Sequence, residues 1–116
     1  MGTRAALLYS EQYRPQVGRL LLIAAFANRI ENAFRRGGDA YPDFFDHKVN
    51  LEIIKKYTKK RLVLHSQDDS SIMYEQATEI ARGLDAELLT SLNRNHFCST
   101  ENAQYIFEVL KNNLTI

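Results

Sequence analysis

Residues 61–96 read RLVLHSQDDSSIMYEQATEIARGLDAELLTSLNRNH, and this stretch decides the fold. It opens on an apolar run, Arg61 to Leu64, that reads as a buried strand. Two acids, Asp68 and Asp69, follow at once. Tyr74 to Leu84 then sets Ala77, Ile80, Ala81 and Leu84 on one helical stripe. Ala86 to Leu92 reads as another strand, and His96 comes just after it. Strand, helix, strand is a crossover unit whose right-handed form lays the two strands parallel. Ligands of such sheets sit beyond the carboxyl ends of the strands. The spacing therefore predicts Asp68, Asp69 and His96 on one rim.

The chain before this unit extends the pattern. Gly2 to Tyr13 is rich in helix formers and stops before Pro15, which cannot continue a helix. Arg19 to Phe26 is continuously apolar after Arg19, as expected of a strand covered on both faces. Residues 28–58 read as a cap or lid-like insertion: polar, broken by Gly37, Gly38 and Pro42, yet carrying Phe34, Tyr41, Phe44 and Phe45. Within it Leu51, Ile54 and Tyr57 recur at helical spacing. Glu101 to Asn113 is the last expected helix, with Ala103, Ile106, Phe107, Leu110 and Leu114 facing inward. The predicted fold class is α/β: one domain over 1–116, three parallel strands with flanking helices in αβα layers.

Composition narrows the function classes. A chain of 116 residues, 45% hydrophobic and 25% charged, is an ordinary globular domain. Its formal charge of +1 speaks against a dedicated nucleic-acid surface, and the basic run Lys55 to Lys60 reads as a solvated helix end. The longest apolar run, Leu20 to Ala27, is far shorter than the ~20 residues of a membrane helix. With one cysteine, Cys98, no internal disulfide can form. The expectation is a cytoplasmic protein with no membrane and no nucleic-acid partner.

A histidine held by a carboxylate through one ring nitrogen can take a proton with the other and activate a serine or cysteine. From spacing alone a plainer reading stands level with this one: Asp68 and Asp69 as turn and cap residues, His96 as a loop histidine. A weaker alternative has the acid pair binding a metal, on thin grounds.

The wording of the stretch adds to the spacing. Residues 61–97 resemble the carboxyl half of small serine hydrolases of the retinoblastoma-binding-protein-9 type, which include the bacterial YdeN-like hydrolases. The shared pattern is a hydrophobic strand, an S-x-D-D turn, a helix containing Glu-Gln, a strand and a histidine followed by phenylalanine. GTRAALLYSEQY (residues 2–13) and RLLLIAAFAN (residues 19–28) are similar to the helix and strand after the nucleophile. The resemblance implies a partial α/β-hydrolase fold, needs no cofactor or metal, and puts the acid on Asp69 and the base on His96. Asp68 is the runner-up acid. Met73 stands where the family has proline, and Asn95 where it has the glycine before the histidine. Asn tolerates a left-handed backbone better than most residues.

The same alignment makes Met1 and Gly2 the remnant of the nucleophile elbow, with its oxyanion-hole N–H at Met1. The nucleophilic serine falls immediately before Met1. Thr3, Ser66, Ser70, Ser71 and Cys98 are poor substitutes, being in the helix, beside the acid or too local to His96; His65 and His47 read as a structural and a surface histidine. Phe34, Phe44 and Phe45 are substrate-pocket candidates. The expected function is the carboxyl-terminal part of a hydrolase of small acyl esters or amides, with a non-catalytic binding module as the alternative. The expected partners are a small acyl substrate and, through strand 19–26, a second copy or a missing amino-terminal half. The L-x-C-x-E docking sequence is absent, so no retinoblastoma-protein contact is carried over.

Overall fold

A computed structural model describes residues 2–28, 44 and 46–114. Its elements run α1 (Gly2–Tyr13), β1 (Val17–Ile23), α2 (Leu51–Tyr57), β2 (Thr58–Ser66), α3 (Tyr74–Leu84), β3 (Glu87–Ser91) and α4 (Thr100–Leu114). The strands form one sheet in the order β1-β2-β3. Both pairings are parallel, with Leu22 opposite Val63 and Leu64 opposite Leu89.

Alternation along the strands sorts their side chains into two cores. Leu22 and Val63 point to one face, where Leu7 of α1, Ile54 of α2 and Ala77, Ile80 and Leu84 of α3 bury them. Leu62 and Leu64 point to the other, against Val109, Tyr105 and Ile106 of α4. Burying both faces of β2 is what its near-continuous apolar sequence requires. Leu62, Val63 and Leu64 are at most 1% exposed.

Two helix ends show the local chemistry. Asp85 takes a left-handed φ of 50° as the residue that stops α3, and its N–H bonds back to the Arg82 carbonyl while Ala86 N–H reaches Ala81. In the first turns of α1, Arg4 is fully buried. It donates to the carbonyls of Ala27 (2.8 Å), Phe44 (2.7 Å) and His47, and its guanidinium lies over the Phe26 ring. Burial pushes the Arg4 pKa down, against the pull of Glu11 and Asp46. Three carbonyl partners compensate the desolvation of this charge. Arg4 thereby ties the chain after β1 to the chain entering α2.

Three expectations need correction. The basic run Lys55 to Lys60 is helix end only to Tyr57, and Thr58 to Lys60 open β2 beside β1. The first strand ends at Ile23 rather than Phe26, because Ala24 turns into the left-handed region at φ 51°. Ala25, Phe26 and Ala27 stay apolar because they are buried beneath the rim, with no strand pairing. In α4 the inward stripe is Asn102, Tyr105, Ile106, Val109 and Asn113, one residue out of step with the expected one. Phe107 and Leu110 are 58% and 39% exposed, and Ala103 is exposed as well. The side chain of Leu114 lies outside the described residues. Among the described residues, no helix is long and apolar enough to cross a membrane.

Candidate active site

Asp69 and His96 meet beyond the carboxyl ends of β2 and β3. Asp69 Oδ2 lies 3.0 Å from His96 Nδ1. The other oxygen, Oδ1, accepts the N–H groups of Ser71 (2.8 Å) and Ile72 (2.9 Å). These bonds close a tight turn after β2 and aim Oδ2 at the histidine. The Asp69 side chain is wholly buried, while that of His96 is 22% exposed. A buried carboxylate engaged on both oxygens fixes the imidazole's orientation and assigns the hydrogen on Nδ1 to the pair. Proton exchange with anything else must then pass through Nε2.

Asp68 serves the loop rather than the imidazole. It accepts from the Ser66 hydroxyl and, at 3.0 Å, from Asn95 N–H. The Ser66 bond above all holds its carboxyl below the usual range; slight desolvation opposes this, and Asn95 N–H adds to it. Further bonds lace the acid turn to the histidine loop: Ser70 N–H to Asn95 Oδ1 (2.8 Å) and Arg94 N–H to Ser66 Oγ (3.1 Å). Asn95 adopts φ 47°, a left-handed conformation that Asn tolerates better than most residues.

Beneath the loop, the Arg94 guanidinium lies 3.9 Å from the centre of the Tyr105 ring and bonds Asn102 at 3.0 Å. Phe97 stacks on the same tyrosine, and Tyr105 OH meets Ser91 Oγ at 2.6 Å. Nothing in the sequence singles out this buttress, since its members belong to three separate elements.

The other candidates fall in different places. Phe44 packs on Phe26 and Ile72, next to the acid turn. Phe34, Phe45 and Met1 lie outside the described residues, and Gly2 opens α1, exposed. Cys98 is exposed, its thiol directed at the His96 carbonyl of its own loop. His47 pairs with Glu11 at 2.6 Å, far along the chain from the rim. A cleft of about 550 Å³ beside His96 is lined by Ser71, Arg94, Cys98 and Asn102. A larger one, about 820 Å³ between α1 and residues 44–53, touches neither Asp69 nor His96. Chemistry, not cleft size, locates the site. Among the described residues, no three His, Cys, Asp or Glu side chains gather as a metal-binding group.

The chain is 30% identical to serine hydrolase RBBP9 of Rattus norvegicus over 114 residues, 98% of its own length and 58% of the relative's. The ydeN gene product of B. subtilis superimposes with a TM-score of 0.76 at 22% identity, covering 97% of this chain and 61% of that one. Over nearly its whole length the chain is thus similar in sequence to a serine hydrolase and in fold to the YdeN structure. No family model matches it. It spans about three fifths of the length of both proteins, and over that part its three parallel strands and flanking helices have the YdeN arrangement.

Proposed function

We propose that these residues supply the acid and the base of a serine hydrolase acting on small acyl esters or amides. The serine comes from sequence outside the 116 residues, on the same polypeptide or a partner. One observation carries the reading: the 3.0 Å contact between a buried, doubly anchored Asp69 and the Nδ1 of His96. The rat relative is a serine hydrolase, which supports the reaction class.

In this reading His96 Nε2 takes the proton of the serine hydroxyl as the oxygen attacks the acyl carbon. It then passes that proton to the departing alkoxide or amine. Asp69 holds the ring and stabilises the imidazolium in between. In such enzymes the backbone N–H of the residue after the serine faces the developing oxyanion. The described serines around the pair are engaged in the loops, as with Ser66 on Asp68 and Ser70 on Asn95.

The test is covalent labelling. The 116-residue chain should resist a fluorophosphonate probe and show no esterase turnover above background. Joined to an amino-terminal half ending in Gly-His-Ser, it should label at that serine. His96→Ala should then lower kcat by about 10³-fold or more, as loss of a triad base does. Labelling of the 116 residues alone at a serine, Thr3 or Cys98 would overturn the proposal. A joined protein that neither labels nor turns over would favour a non-catalytic binding module.

A further inference from the structure

His65 ends up closer to the chemistry than a structural histidine need be. It is fully buried near the carboxyl end of β2. Its Nε2 lies 2.8 Å from the Ile72 carbonyl. A carbonyl only accepts, so Nε2 carries the hydrogen. The same nitrogen passes Asp69 Oδ2 at 3.4 Å. Nδ1 is buried with no hydrogen-bond partner among the described residues, so it presents a bare lone pair; a hydrogen there would be an orphaned donor. The edge-on Tyr74 ring, 6.0 Å away between centres, packs against the imidazole.

The Ile72 backbone is thus held at both its N–H and its carbonyl. Its N–H is held by Asp69 Oδ1 at 2.9 Å and its carbonyl by His65. Oδ2, the oxygen that faces His96, has the second imidazole dipole beside it. We infer that His65 is a positioning residue, bracing the Asp69 turn so that Oδ2 stays in register with His96 Nδ1. This rests on the reading of Asp69 and His96 as the acid–base pair.

Nitrogen-15 imidazole spectra of the 116-residue chain test the brace without needing turnover. His65 should appear as the Nε2–H tautomer; an Nδ1–H tautomer would overturn the inference without any variant. Glutamine can place an amide N–H where Nε2 stands, whereas asparagine reaches only the Nδ1 position. His65→Gln should therefore keep the His96 Nδ1 proton protected from exchange to within about twofold, while His65→Asn and His65→Leu speed its exchange about tenfold. The backbone amide spectrum away from residues 65–73 and 93–97 should stay unchanged. Should the leucine variant not fold, the glutamine–asparagine contrast decides alone. Equal protection in glutamine and asparagine variants overturns the brace. In the joined enzyme the asparagine variant should lower kcat with KM unchanged, and the glutamine variant should restore it. An inactive joined enzyme would sink the hydrolase reading while leaving the spectra to decide the brace.

Discussion

Asp68 and Asp69 are adjacent, yet their surroundings divide their work. Asp69 is buried against backbone N–H groups and a histidine, while Asp68 stands exposed and ties Ser66 to the Asn95 peptide. A carboxyl held below its unfolded value contributes stability that is complete above the unfolded pKa, about 3.9 for Asp. That contribution fades as the pH falls through the lower folded value. Asp68 is such a group, chiefly through the Ser66 bond. Asp68→Asn should therefore unfold at lower urea than the wild type near neutral pH, and the gap should narrow as the pH falls below about 3.9. A gap independent of pH would mean the carboxylate charge does no work there. At this scale the sequence was partly legible. Two acids after one strand and a histidine after the next are visible as letters, because the strand ends are visible. Which acid faces the histidine is set by the turn's N–H pattern, and spacing alone could not choose. The bond from His65 to Ile72 was hidden too, because an imidazole at a strand end reads the same whether it braces a turn or fills a core.

Elements were more legible than their edges. β2, α3 and β3 stand out because period and length agree there, and α1 is bounded by Pro15. The end of β1 was hidden because Ala25, Phe26 and Ala27 are as apolar as a strand while serving as core beneath the rim. The face of α4 was hidden for another reason: apolar residues occupy two neighbouring stripes, and Asn102 is buried by bonding Arg94 and Ser99. Packing between helices offers a test in which two effects oppose. Gly83 in α3 lies against Leu51 of α2, and a Cβ there would stand 2.4 Å from Leu51 Cδ1 and 3.0 Å from Leu51 Cβ. Helix propensity favours alanine over glycine by ~1 kcal/mol. Overpacking at such a contact costs about 1–3 kcal/mol. Since Leu51 Cβ cannot rotate away, Gly83→Ala should destabilise by about 1 kcal/mol net. In a Leu51→Gly background, which removes that Cβ as well, Gly83→Ala should become neutral or favourable, a non-additivity readable from a denaturation double-mutant cycle. Additive losses would show that the helices are not in contact there.

At the scale of the whole molecule, the sheet is lopsided. One face carries α1, α2 and α3, while the other carries α4 alone among the described residues. β1 pairs with β2 on one side, and no described strand pairs with its other side. Leu21 and Ile23 of β1 are half-buried on the thinly covered face, and Phe107 and Leu110 of α4 are exposed. An unpaired strand edge with apolar neighbours is a template for another chain. The 116-residue chain, 13.4 kDa, should therefore associate as its concentration rises, with light scattering giving a mass above the monomer in the high micromolar range. A lysine pointing from an edge strand discourages pairing, so Leu21→Lys should shift the association to higher concentration while leaving Asp69 and His96 in contact. Joining the amino-terminal half should suppress association as well, since the proposed hydrolase places further sheet beside β1. If the wild-type chain stays monomeric at high micromolar concentration, the edge is covered by some other part of the chain. If it associates and Leu21→Lys associates equally, the contact lies elsewhere, and the exposed face of α4 becomes the surface to mutate.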